Sequence, residues 1–174
     1  RARNELQAKN IIKPVKKEIK KEFSEFIYGE NEDNLAGVVM KQLIKRKESI
    51  VFAESCTGGL LSSSITSLAG SSQIFKGSII SYSNELKKSL LNIPEDLIKK
   101  YGAVSEQVAE TMAINAKKKL HSDWSIAISG IAGPGGGSQA KPVGLVYIAI
   151  SGPNNHITNI KRIFNSSKNR VEIQ

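Results

Sequence analysis

The residues best placed to do chemistry lie in Ala53-Glu54-Ser55-Cys56-Thr57-Gly58-Gly59. The short β-branched run Ile50-Val51-Phe52 precedes them and suits a buried strand. Leu60, Leu61, Ile65 and Leu68 follow at roughly helical spacing. Ser55 therefore falls where a strand hands over to a helix. The first N–H groups of a helix are unpaired and its dipole is positive there, which favours a nucleophile or a bound anion. The plainer reading makes Ser55 or Thr57 only a helix cap, as such joints commonly carry one.

A serine nucleophile needs a base, and histidine is the usual one. His121 ends a long helix and His156 sits at a hairpin turn, so both read as surface residues and a Ser-His-Asp triad is not expected. A lysine can take the role if burial or nearby positive charge strips its proton. Lys87 stands one turn into the helix after Tyr82-Ser83-Asn84 and could point back over the sheet edge towards Ser55. A solvated helix lysine is the alternative, with Lys88 beside it. The loop Gly130-Ile131-Ala132-Gly133-Pro134-Gly135-Gly136-Gly137-Ser138 offers free N–H donors for a phosphate or an oxyanion. It meets neither the Walker A nor the Rossmann spacing. Gly70-Ser71-Ser72 is a weaker candidate for the same role.

These segments need elements to position them. Residues 1–14 are polar and poorly periodic. Pro14 opens an expected helix to about Tyr28, with Val15, Ile19, Phe23 and Phe26 on one face. The polar run from Gly29 to Asn34 breaks it, and a second helix runs from Leu35 to Lys45. From Ser49 short β-rich runs alternate with helices. Strands are expected at Ile50–Glu54, Gly77–Tyr82, Trp124–Ser129, Val143–Ile150 and Ile157–Phe164, the last two forming a hairpin. Helices are expected at Thr57–Leu68, Asn84–Leu91, Glu95–Lys100 and from a Ser105 cap to Leu120. The pattern is α/β, with helices on both faces of a mixed, mostly parallel sheet of about five strands. Glu54-Ser55, the run from Ser81 to Asn84, and Ser129-Gly130 all fall at strand C-termini, where active sites of such sheets lie.

The chain has 174 residues, 40% of them hydrophobic, enough for one ordinary domain with a core. No apolar run reaches the roughly 20 residues that cross a bilayer, and the start lacks a secretory pattern. The end, Arg170-Val171-Glu172-Ile173-Gln174, reads as cut inside an element. Cys56 is the lone cysteine, so no internal disulfide forms, which fits a reducing cytoplasm. One cysteine and two histidines do not favour a His- or Cys-held zinc, whereas a carboxylate-held magnesium stays open. The net charge of +9 raises the odds of an acidic partner, although it sits mostly in short lysine runs on helices. Little aromatic interleaving accompanies it, so specific nucleic-acid binding is not expected.

Six blocks then occur in order: the Ser55 segment, Ala69-Gly70-Ser71-Ser72, Ser81-Tyr82-Ser83-Asn84-Glu85, Gly102-Ala103-Val104-Ser105-Glu106, Ser129-Gly130-Ile131-Ala132-Gly133-Pro134, and Lys141-Pro142-Val143-Gly144. Together they resemble the CinA C-terminal domain family, which includes bacterial nicotinamide mononucleotide amidohydrolases. The resemblance implies a three-layer α/β/α domain over residues 35–174, self-association as a dimer or higher oligomer, and no metal or cofactor. Residues 1–34 resemble the helical lead-in that joins this domain to an upstream, molybdopterin-binding-like one.

The resemblance implies hydrolysis of the carboxamide of nicotinamide mononucleotide to nicotinate mononucleotide and ammonia. It makes Ser55 the nucleophile, Lys87 the general base and Tyr82 a further catalytic position. It sets substrate contacts on Thr57, Gly58, Gly59, Ser71, Ser72, Asn84, Ser129, Gly130 and Gly133. Family members commonly carry Gly and Arg after the last strand, ahead of a long helix. Here that region reads Asn165-Ser166-Ser167-Lys168-Asn169-Arg170, and Lys168 stands in for the arginine. A catalytically silent nucleotide- or partner-binding module, in a competence or damage-inducible role, is the alternative the same resemblance leaves open.

Overall fold

The computed structural model describes residues 2–165 and 169–174. Two compact units divide the chain, Arg1–Val39 and Met40–Gln174. In the first, α1 (Glu5–Glu22) opens at the Asn4 cap, whose side chain accepts from the Gln7 N–H at 2.9 Å. The helix thus starts well before Pro14, which lies inside it. Proline there lacks one N–H donor. The Asn4 cap and a Glu5–Lys9 ion pair at 2.6 Å favour the earlier turns. No residue of α1 is buried. Its Lys16 and Lys20 pair with Glu30 in the loop that follows.

Helix α2 (Leu35–Arg46) spans the division and leads into β1 (Ile50–Glu54), whose five residues are all buried. Then come α3 (Leu60–Thr66), β2 (Phe75–Ile80), α4 (Asn84–Leu91), α5 (Glu95–Tyr101), α6 (Glu106–Lys119) and β3 (Trp124–Gly130). The hairpin β4 (Leu145–Ser151) and β5 (Ile157–Ile163) follows, and the short α7 (Arg170–Ile173) closes the chain. The five strands form one sheet in the order β2-β1-β3-β4-β5. The first three strands are parallel and the last two pairings antiparallel, so the sheet is mixed.

Helix α6 lies on β1, β3 and β4 through small residues. Val51, Ala53, Ala127 and Ala149 of the sheet meet Ala109, Met112, Ala113 and Ala116 of the helix, all at most 1% exposed. Alanines on both sides let helix and sheet approach closely at interior packing density. The Ser125 hydroxyl joins this contact by donating to the Ala113 carbonyl at 2.6 Å. On the other face, Cys56, Ala132, Val146 and Ile173 form a smaller buried cluster with Ile128 and Ile148.

Two sequence expectations change here. Helix α3 starts at Leu60 rather than Thr57, because Gly58 and Gly59 take φ of +59° and +109° and cannot extend a right-handed helix. Strand β2 runs from Phe75 to Ile80, so Ser81 and Tyr82 emerge beyond its end. Glu54 pairs across with Ile80 on one side and Ile128 on the other. Ser55, Ser81 and Ser129 are therefore level with one another along the carboxyl edge of the parallel strands.

Candidate active site

Three neighbouring strand ends supply the site. Ser55 follows β1 and is 7% exposed, and its own N–H donates to the Ile128 carbonyl at 3.0 Å. Beyond β2, Ser83 caps α4 by accepting the Leu86 N–H at 3.1 Å. Lys87 lies one turn in, and helical side chains lean towards the N-terminus, so its chain reaches back over the strand end. Its Nζ lies 2.9 Å from Ser55 Oγ, 2.8 Å from the Ser81 carbonyl and 3.4 Å from the Tyr82 carbonyl.

Lys87 is 2% exposed, and no carboxylate accompanies it in these contacts. Burial pushes its pKa below the ordinary lysine value, and the opposing pull of the Cys56 thiol is smaller. A neutral amine has two N–H donors and one lone pair. Here the two carbonyls can accept the donors, which leaves the lone pair facing the Ser55 hydroxyl. That is the arrangement a general base needs.

Glu54 occupies the position where an anion-binding helix terminus was expected. Its carboxylate accepts from the N–H groups of Gly59 and Leu61, both at 3.1 Å, and of Ser62 at 2.9 Å, and from the Ser62 hydroxyl at 2.5 Å. Burial raises its pKa, and the hydrogen bonds outweigh burial and leave it lowered. The first-turn donors of α3 are thus spent on the protein's own carboxylate and do not serve an oxyanion. The Ser55 N–H is spent on Ile128 in the same way.

Around the pair lies a pocket of about 250 Å³. Of the residues proposed from the sequence, Ser55, Tyr82, Asn84, Lys87, Ser129, Gly130 and Gly133 line it. Ser129 is fully buried and its hydroxyl donates to the Ala103 carbonyl at 2.8 Å. A side chain at Gly130 would collide with Val146, the Leu145 carbonyl and Cys56, so close packing requires glycine there. Thr57, Gly58 and Gly59 form the turn after Ser55, while Ser71 and Ser72 lie in a 3-10 turn before β2. None of these five is among the pocket-lining residues. Lys168 lies outside the described residues.

Two of the lining residues not assigned from the sequence, Arg170 and Cys56, carry ionisable side chains. Arg170 donates to the Tyr82 hydroxyl at 2.7 Å and to the Gly133 carbonyl at 2.6 Å, so the arginine of the terminal segment itself reaches the pocket. Its register was the missing signal: Lys168 stood nearer in sequence to the last strand. Cys56 also lines the pocket, but burial pushes its thiol pKa up despite nearby N–H groups and Lys87. It stays a thiol, which leaves Ser55 as the better partner for Lys87. Among the described residues, no three His, Cys, Asp or Glu side chains gather as a metal cluster. No helix among them is long and apolar enough to cross a membrane.

Fold and site together define an α/β domain with a buried Ser-Lys pair at the carboxyl edge of its parallel strands. The chain belongs to the CinA C-terminal domain family, whose model matches residues 32–174. A CinA-like protein of Prochlorococcus marinus subsp. pastoris is 75% identical over 174 residues, covering all of this chain and 40% of that protein. A CinA-like protein of Synechococcus sp. strain RCC307 is 46% identical over 147 residues, 84% of this chain and 35% of that protein. The chain therefore spans two fifths or less of these relatives' length. Among solved structures, the competence/damage inducible protein CihA from Agrobacterium tumefaciens superposes with a TM-score of 0.78 at 35% identity. The match covers 80% of this chain and 84% of that one. A competence-damaged protein (CinA) superfamily protein from Escherichia coli gives 0.76 at 26% identity, over 87% and 89% of the two chains.

Proposed function

We propose that this domain hydrolyses the carboxamide of nicotinamide mononucleotide, yielding nicotinate mononucleotide and ammonia. The observation that carries the reading is the buried Lys87 amine at 2.9 Å from Ser55 Oγ. Lys87 Nζ takes the Ser55 proton as Oγ attacks the amide carbon. It then gives that proton to the departing nitrogen, which leaves as ammonia, and an ester to Ser55 remains. Water attacks the ester, Lys87 takes one of the water's protons and returns it to Ser55 Oγ, and the acid is released, giving its remaining proton to solvent as the carboxylate forms.

The tetrahedral oxygen needs donors other than those already spent on Glu54 and Ile128. The Tyr82 hydroxyl accepts from Arg170, which polarises its own O–H and makes it the stronger donor. Asn84 adds an amide at the same pocket. Arg170, with a planar fork of donors at the pocket, is the group suited to the phosphate. The positive pyridinium ring disfavours a second cation beside it, which helps keep Lys87 neutral.

Incubation with the mononucleotide, with ammonia and nicotinate mononucleotide both quantified, tests the reading. Release by the natural chain and its loss in Ser55→Ala and Lys87→Ala are expected. Unchanged turnover in either variant rejects the pair. Tight binding by calorimetry with no turnover points instead to a silent nucleotide-binding module.

A further inference from the structure

Three of the ordered sequence blocks have no part in the reaction just described, and two of them, Gly102-Ala103-Val104-Ser105-Glu106 and Lys141-Pro142-Val143-Gly144, meet in the structure. The structure brings them together through one side chain. Lys141 is half-buried, and its Nζ donates to the Tyr101 carbonyl at 2.5 Å and to the Val104 carbonyl at 2.7 Å. Tyr101 is the last residue of α5, where exposed carbonyls and the helix dipole favour a cation.

The segment between those carbonyls is Gly102-Ala103, and Ala103 and Val104 both line the Ser55 pocket. From the sheet side, the Ser129 hydroxyl holds the Ala103 carbonyl at 2.8 Å. This stretch of pocket wall is thus tied at the carbonyls of Tyr101, Ala103 and Val104, on either side of a single glycine. Gly102 takes φ of +76°, and a Cβ there would stand 2.6 Å from Lys141 Nζ. The glycine leaves the room the ammonium fills.

The lysine is itself anchored. Its N–H donates to Ser138 Oγ at 3.1 Å, and its carbonyl accepts from the Ser138 N–H at 2.8 Å, a closed turn in the Gly-rich loop. Gly144 then lets the chain pass the last strand's end, where any Cβ would lie 2.2 Å from the Phe164 carbonyl oxygen. Lys141 therefore couples the Gly-rich loop, which forms one part of the pocket, to the 101–104 wall, which forms another.

We infer that Lys141 is a positioning residue, a cationic tie that fixes the Ala103-Val104 wall and so sets how well the pocket grips its substrate. It touches neither Ser55 nor Lys87 in these contacts, so its effect falls on binding more than on the proton transfers. The statement about substrate rests on the mononucleotide amidase reading. The statement about the wall does not.

Lys141→Met, which keeps the stem and removes the ammonium, is compared with the natural chain in two measurements. Amide hydrogen exchange at Ala103, Val104 and Ser105 should quicken about tenfold, the loss expected from one charged hydrogen-bond anchor. The KM for nicotinamide mononucleotide should rise about tenfold with kcat within about twofold, and Lys141→Arg should restore part of both. Unchanged exchange at those amides overturns the tie, and an equal fall in kcat with KM unchanged overturns its assignment to binding. If the natural chain does not turn the nucleotide over, the amidase reading fails while the exchange comparison still decides the tie. Should Lys141→Met not fold, Gly102→Ala, which crowds the ammonium from the other side, is read by the same two measurements with the same expected directions.

Discussion

The two strand-to-helix joints of the parallel sheet, β1 into α3 and β2 into α4, share one topology and differ in how each treats a buried ionisable group. At the first, Glu54 receives the donors of the α3 terminus and its pKa falls because hydrogen bonds outweigh burial. At the second, Lys87 has carbonyls and a hydroxyl but no counter-charge, and its pKa falls because burial outweighs everything else. Both values move down, for opposite physical reasons. The carboxylate is locked in its charged form and holds the turn that presents Ser55. The lysine is driven towards its neutral form and can take a proton. On the amidase reading proposed above, the first joint serves position and the second serves chemistry.

The sharpest way to break this contrast is at Lys87. Lys87→Met and Ser55→Ala should each lower kcat for amide release at least about 10³-fold, read by ammonia production. In the natural chain kcat/KM should rise with pH through a value below the ordinary lysine range, and that limb should vanish in Lys87→Met. Next in size, Tyr82→Phe should cost about 10²-fold in kcat, the usual worth of one oxyanion donor. Arg170→Met should raise KM for the mononucleotide by about tenfold or more, since a charged hydrogen bond to phosphate is lost.

Glu54→Gln addresses the other joint. It should destabilise the fold by about 1–3 kcal/mol in denaturant melts, since an amide satisfies fewer of those donors. The pH signs separate the two groups further. Glu54 has a lowered folded pKa, so its stabilisation is present above the unfolded carboxylate value and is lost as pH falls through the folded one. Lys87 also has a lowered folded pKa, so its penalty is full below that value. The penalty is relieved as pH rises towards the unfolded lysine value. The smallest effect follows: Lys87→Met should flatten the rise of melting temperature on the alkaline side of neutrality.

The sheet and its order of elements were legible because short β-branched runs alternate with helices, and Ser105 caps where expected. Ser55 and Lys87 could be named from strand ends and a helical turn of spacing. Their meeting could not, because it depends on β1 and β2 being sheet neighbours. The role of Glu54 was hidden for a different reason. A polar residue ending a strand looks the same whether it faces solvent or caps the next helix, and only the left-handed Gly58 and Gly59 turn it back. Arg170 was displaced by its register, since its contacts with Gly133 and Tyr82 lie 37 and 88 residues back in the chain. Residues 1–14 misled because Pro14 is a better start signal than Asn4, yet the helix runs through it.

The central claim is that Lys87 is a neutral amine facing the Ser55 hydroxyl at working pH. Nitrogen-15 NMR titration of the lysine side chains, with Lys87 assigned through Lys87→Met, measures this directly. The account predicts that Lys87 titrates well below the other lysines; titration together with them, near the ordinary lysine value of 10.5, would contradict it.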